Sequence, residues 1–152
     1  MKLLWHLTVR AGVVSYLWLL KPQKRRVRGL ILRDQSVLLV KHVGGRNQWT
    51  LPGGGMHADE SPEDTLKREI YEELEINVLP VGDVGTVEVN RYGALTTYHI
   101  LIATTVNRAL IPDPVELREA RWFDLKALPD DCSEVVRVAA SRHIGQNEAA
   151  KD

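Results

Sequence analysis

Glu69, Glu72 and Glu73 fall at positions i, i+3 and i+4 of a segment that reads as a helix. That spacing puts three carboxylates on one helical face within a single turn, where like charges destabilise an isolated helix. A bound divalent cation reverses the sign of that repulsion. Hard cations such as Mg²⁺ take oxygen ligands at about 2.0–2.1 Å and are commonly held between carboxylates and substrate phosphates. Arg68 stands beside Glu69 and four residues before Glu72. Its guanidinium can brace a carboxylate through paired hydrogen bonds. Glu60 precedes the helix and is placed to fold back onto Arg68. The expected role of this pair is to orient ligands. Gly53, Gly54 and Gly55 let the backbone come close to its surroundings, which makes a carbonyl there, at Gly54, a further candidate ligand.

The elements that must position these groups are legible from patterning. Residues 61–74 give the strongest helix signal: Ser61 as cap, Pro62 in the first turn, then Glu63 and Asp64 at the positive end of the dipole. Residues 27–32 and 37–40 read as strands joined by the turn Asp34-Gln35-Ser36, a hairpin. Residues 44–48 read as loop, and 49–51 as a short strand broken by Pro52 and the glycines. Residues 84–90 and 95–105 read as strands around Arg91-Tyr92-Gly93, and 119–124 as another. A last helix is expected from Ser133 to His143, followed by a polar tail over 146–152. Strands and helices alternate without βαβ regularity, so the expected class is α/β in the α+β sense, with helices packed on a mixed sheet. The expected division is an N-terminal amphipathic helix over 1–22, one domain over 23–145, and the tail.

Composition sets outer bounds. The chain has 152 residues, 44% hydrophobic and 26% charged, with formal net charge zero. That balance suits one globular domain and argues against a nucleic acid polymer as partner. A single cysteine, Cys132, closes no internal disulfide and fits a reducing, cytoplasmic compartment. The neutral sum hides an asymmetry. Lys2, Arg10, Lys21, Lys24, Arg25, Arg26 and Arg28 give residues 1–28 a charge of +7 with no acid, so the remainder carries −7. Leu3, Leu7, Ala11, Val14 and Trp18 form one helical stripe. Arg10 argues against a membrane span and against a signal peptide. Packing on the domain is the preferred expectation for this stripe, and peripheral contact with an anionic membrane the alternative.

The segment Gly54–Ile76 resembles the signature of the Nudix hydrolase family, G-x5-E-x7-R-E-U-x-E-E-x-G-U with U a bulky apolar residue. Gly54, Glu60, Arg68, Glu69, Ile70, Glu72, Glu73 and Ile76 match it. Glu75 stands where the family has a glycine that ends the helix, in the left-handed region that a side chain enters at a cost of about 1 kcal/mol. QWTLPGGG before this segment and EARWFDLKALP after it resemble Nudix flanks. The resemblance implies an α/β/α sandwich with a mixed sheet and a loop–helix–loop motif. It implies water attack on a phosphorus of a diphosphate linkage in a small, nucleotide-like molecule, a nucleoside diphosphate derivative. Mg²⁺, or Mn²⁺, would neutralise phosphate charge and activate the water.

On that reading Glu72 and Glu73 are the first metal ligands, and Glu69 is a ligand or the general base. Glu116 is a candidate extra carboxylate, balanced against a plain loop acid. Arg46, Trp49 and Tyr92 are candidate substrate contacts, and Trp122 a further aromatic able to stack a base. Of the five histidines only His57 lies within the signature loop. Two alternatives stand beside the enzyme: a solvated glutamate-rich helix, and a Nudix-fold binding module without catalysis. The residues leave the oligomeric state open.

Overall fold

The computed structural model describes residues 25–91, 94–107 and 109–151. The expected helix over 1–22 and Tyr92 lie outside them. Among the described residues there are five strands and two helices: β1 (Arg26–Arg33), β2 (Ser36–His42), α1 (Pro62–Leu74), β3 (Leu79–Arg91), β4 (Ala94–Thr104), β5 (Leu117–Asp124) and α2 (Glu134–Ala149). The strands form one sheet in the order β3-β4-β1-β2-β5. Only β1 and β4 run parallel, so the sheet is mixed.

The expected hairpin forms, with Asp34 at φ 54° in its turn, a conformation Asp tolerates better than most side chains. The two strands pair only at Leu32–Val37 and Arg33–Ser36. Beyond that they separate, and the chain from Trp49 to Met56 fills the gap. Val40 and Thr50 exchange two backbone hydrogen bonds of 2.9 Å. On the other side, Gly29 N–H donates to Pro52 O and Val27 N–H to Gly54 O, both at 2.9 Å, and Met56 N–H donates to Arg25 O at 3.0 Å. The strand expected at 49–51 is therefore a set of single bridges. Pro52 has no N–H, and the glycines after it do not hold an extended ladder.

Alternation along the strands divides the core in two. Val27, Ile31, Leu38, Val40 and Leu101 face α1 through Leu66, Ile70 and Leu74. Leu30, Val37, Leu39, Tyr98 and Ile100 face α2 through Val135, Val136 and Ala139. The result is the expected α/β/α sandwich. Two boundaries differ from expectation by five residues or more. β3 starts at Leu79, five residues early, because irregularities between Pro80 and Gly82 and between Asp83 and Gly85 absorb residues that read as breakers. α2 continues six residues past His143, so most of the expected polar tail is helical. A single glycine, Gly145, costs about 1 kcal/mol and does not stop a helix, and Asn147 reaches back to the His143 ring at 3.0 Å. Among the described residues, no helix is long and apolar enough to cross a membrane.

Candidate active site

The site is built on α1. Ser61 Oγ accepts the Asp64 N–H at 3.1 Å and caps the helix. The helix then comes close to β1 because Gly29 has no side chain; a Cβ there would stand 2.8 Å from the Leu66 side chain. At the other end Glu75 takes φ 54°, ψ 31°, the left-handed conformation expected of the missing glycine, and its N–H returns to Tyr71 O. The loop after β4 satisfies two of the final carbonyls. Ile111 N–H donates to Leu74 O at 3.1 Å and Asp113 N–H to Glu73 O at 2.8 Å.

Arg68 organises the outer half. Its Nε and Nη2 donate to the two oxygens of Glu60 at 2.5 and 2.9 Å. Its Nη1 donates to Glu69 at 2.9 Å and to Glu72 at 3.2 Å, and Nη2 also reaches Gly55 O at 3.1 Å. Glu60 further accepts from His57 N–H and Thr65 Oγ1, each at 3.0 Å. The Arg68 hydrogen bond is the main reason the Glu60 carboxyl is pulled down to about 2, and the same contact raises Arg68. The Glu69 carboxylate lies against the α-carbon of Gly54, where a Cβ would overlap it. That contact requires the glycine. The Gly54 carbonyl itself is taken by Val27 N–H, so its strand bond uses one of its two acceptor directions.

Glu73 forms the inner half. Its side chain is 2% exposed and accepts the Gly53 N–H at 3.1 Å. Burial pushes its carboxyl up to about 8; Glu69 and Glu116 push the same way, while Arg28 and the Gly53 N–H oppose them. Glu116 is thus near enough to be felt at Glu73, and its backbone carbonyl accepts from Val43 N–H. Two residues that sequence reasoning passed over stand here. His42 ends β2 on the α1 side of the sheet, with Nδ1 4.0 Å from Glu73 Oε1. Arg28, counted only among the basic residues of 1–28, is buried at 4% exposure. A charge inside the apolar run Val27–Ile31 was the available signal for it.

The candidate substrate contacts separate. Trp49 is buried and packs edge-on to Phe123 at 4.7 Å between ring centroids. It is a core residue, and the expectation that it stacks on substrate is corrected. Arg46 is exposed in the turn after β2. Trp122 lies under the Arg33 guanidinium at 4.2 Å. His57 is exposed, 3.6 Å from Glu60.

The carboxylate oxygens on this helix face are the donors a hard divalent ion takes. Glu73, buried without enough positive charge to keep it ionised at neutral pH, is where such an ion would relieve most strain. Among the described residues, no three acidic, histidine or cysteine side chains already converge on one point. Glu69 and Glu72 are drawn to Arg68 instead, whose single charge offsets only part of what a cation would balance.

These features define an α+β domain with a carboxylate-bearing loop–helix–loop at one end of a mixed sheet. The chain belongs to the Nudix family: the family profile described as NUDIX domain matches residues 22–141. It is 30% identical over 95 residues to a mouse diphosphoinositol polyphosphate phosphohydrolase 3-alpha, covering 62% of this chain and 58% of that protein. It is 33% identical over 109 residues to an RNA pyrophosphohydrolase of Hamiltonella defensa, covering 68% and 60%. The chain thus matches about three fifths of the length of these relatives. Among solved structures, the MutT NUDIX hydrolase from Burkholderia pseudomallei superposes with a TM-score of 0.71 at 24% identity, over 80% of this chain and 98% of that one. A MutT protein from Methanosarcina mazei gives 0.71 at 23%, over 85% and 98%. These two show the shared fold. Nudix hydrolases in general use divalent metal ions.

Proposed function

We propose that this chain is a Mg²⁺-dependent hydrolase that cleaves the diphosphate linkage of a nucleoside diphosphate derivative. The observation that carries this reading is Glu73: a carboxyl buried on the same helical turn as Glu69 and Glu72, and raised by burial beside two further acids. A fold does not bury such a group for stability alone. Glu69, Glu72 and Glu73 would hold the ion. When bound, Mg²⁺ neutralises phosphate charge and lowers the pKa of the attacking water.

The chain's own groups do the rest. The Gly53 N–H fixes the direction of the Glu73 carboxylate. Glu60 keeps Arg68 in place, and Arg68 keeps Glu69 and Glu72 on the open side of the helix. Glu116 is the carboxylate assigned to take the proton of the attacking water, with Glu69 as the other candidate. Water oxygen bonds to phosphorus, the bridging P–O bond breaks, and each product leaves with a phosphate end. Arg46, exposed on the turn after β2, is the candidate contact for an outer phosphate.

Relatives carry names that refer to diphosphoinositol polyphosphates, RNA pyrophosphate and NAD-capped RNA. The test is therefore a product-release screen with Mg²⁺ over nucleoside diphosphate derivatives, diphosphoinositol phosphates and 5′-triphosphorylated or NAD-capped RNA, beside Glu73→Gln. Cleavage of a nucleoside diphosphate derivative that EDTA and Glu73→Gln both abolish is the expected result. Tight binding of a nucleotide with no hydrolysis across the panel would establish a binding module instead.

A further inference from the structure

We infer that Arg28 is a positioning residue of this site, which fixes the glycine loop so that the Gly53 N–H is presented to Glu73. The argument begins with the carbonyls of residues 51–54, which lie in a loop with no ladder of its own. The backbone of β1 takes two of them: Gly29 N–H binds Pro52 O and Val27 N–H binds Gly54 O. The alternate two, Leu51 O and Gly53 O, both accept from the Arg28 guanidinium. One strand therefore holds all four carbonyls, and one side chain holds half of them.

The consequence at Glu73 follows from peptide geometry. With Pro52 O tied to Gly29, the N–H of the same peptide, that of Gly53, points to the opposite side of the loop, where it meets Glu73. Gly53 has φ 125°, a conformation open to glycine and costly for other residues. Its second torsion is set by where its carbonyl goes, and that is Arg28. The guanidinium is itself held, because it is buried and lies 5.6 Å from the centroid of the Tyr98 ring. Arg28 sits on the α2 side of the sheet and Glu73 on the α1 side; the Arg28 charge is felt at the carboxylate, and its contact with it runs through the loop. A basic side chain in the middle of an apolar strand has a structural cost that this arrangement explains.

The link to catalysis rests on the proposed metal-dependent hydrolysis; the positioning itself does not. Two variants and two measurements separate them. Arg28→Met keeps much of the stem and removes the donors. Arg28→Lys keeps the charge but is one bond shorter and cannot stack flat on Tyr98. Amide hydrogen exchange reads the Gly53 N–H, with Glu73→Gln as the reference for a weakened acceptor. Mg²⁺ titration of the folded protein reads the carboxylate site without requiring turnover.

The expected result for Arg28→Lys is loss of Gly53 protection while Leu30 and Ile31 stay protected, with Mg²⁺ affinity reduced about 10–100-fold, the usual effect of removing a group that orients a ligand. Unchanged Gly53 exchange in Arg28→Lys and, where it folds, in Arg28→Met would overturn the inference. So would general loss of protection across β1 in Arg28→Lys, which marks a purely structural arginine. If the wild type neither binds Mg²⁺ nor hydrolyses anything, the functional reading fails, and Gly53 exchange alone decides the role of Arg28.

Discussion

Glu72 and Glu73 are neighbours in the chain and opposites in environment. Glu72 is 56% exposed and shares Arg68 with Glu69 and Glu60. Glu73 is 2% exposed and has, within hydrogen-bonding distance, one backbone N–H. The outer half of the site is an ion-pair network in which one arginine serves three carboxylates, of the kind that contributes modestly to stability. The inner half holds an acid that the fold solvates poorly. A one-residue step along a helix turns the side chain by about 100°, and here that step separates an exposed acid with an arginine partner from a buried acid with none among the described residues. Function that depends on a bound cation should be most sensitive to the buried one.

The strongest test of that contrast is substitution of each acid by its amide. Glu73→Gln should lower turnover by orders of magnitude in an assay with saturating Mg²⁺, and the metal-free variant should melt no lower than wild type near pH 8. Full activity of Glu73→Gln would remove the reason for reading the buried acid as functional.

A pH titration of the metal-free protein sharpens the same point. The Glu73 carboxyl moves from an ordinary 4.5 to about 8 on folding. Between those values the folded chain holds a proton that the unfolded chain has lost, so stability contributed by the neutral acid is complete below 4.5 and declines as pH rises to 8. The slope is at most about 1.4 kcal/mol per pH unit. It should vanish in Glu73→Gln. Mg²⁺ affinity should rise over the same window, because binding displaces the proton. Denaturant melts with EDTA at four or five pH values check the slope, and a flat profile for wild type would show that Glu73 is ionised without a cation.

The outer half of this comparison was far easier to read from the sequence than the inner half. Spacing alone placed Glu69, Glu72 and Glu73 on one face, and Arg68 against Glu60, because helix periodicity and long side chains leave few other arrangements. The hairpin and both helices were legible from turn residues and caps. What periodicity lacks is information on which side of a separated strand pair a loop will thread. Arg28 therefore read as one more charge in a basic stretch, and His42 as one of five scattered histidines. Trp49 failed for a related reason: an aromatic beside a glycine loop is placed equally well to stack on a ligand or on Phe123, and only the course of the loop decides. Glu75 was the reverse case, a departure from the family pattern whose backbone conformation the pattern itself foretold.

The outer network makes the next prediction, smaller in size and opposite in pH dependence. Glu60→Gln removes a charge-assisted pair with Arg68 and weakens acceptors for Thr65 and His57, at a cost of about 2 kcal/mol at neutral pH. Arg68 holds the Glu60 carboxyl at about 2 in the folded chain. This contribution is therefore present above 4.5 and is lost as pH falls from 4.5 through 2. The gap between wild type and Glu60→Gln should narrow in that acid window, where the Glu73 effect is already constant. Melts of the two proteins from pH 7 down to 2.5 test it, and a gap that stays constant would mean Glu60 acts by packing rather than by charge.

The smallest effect belongs to the end of α1. Glu75 adopts φ 54°, ψ 31°, is exposed, and donates its N–H to Tyr71 O at 2.9 Å. A side chain in this region crowds its own backbone, and glycine does not. Glycine also adds freedom to the unfolded chain, which offsets part of the gain. The balance should favour Glu75→Gly by about 1 kcal/mol, a rise of about 2–4 °C for a chain of this size. The carboxylates one turn back keep their neighbours, since Ile111 and Asp113 hold the Leu74 and Glu73 carbonyls whatever stands at 75. Mg²⁺ affinity should therefore stay within about twofold, well under the 1.4 kcal/mol of a tenfold change. Thermal melts with and without Mg²⁺ measure both quantities on one sample. A lower melting temperature would show that the Glu75 side chain supports the helix end, and a large shift in affinity would show that the inner half of the site reaches further along α1 than Glu73.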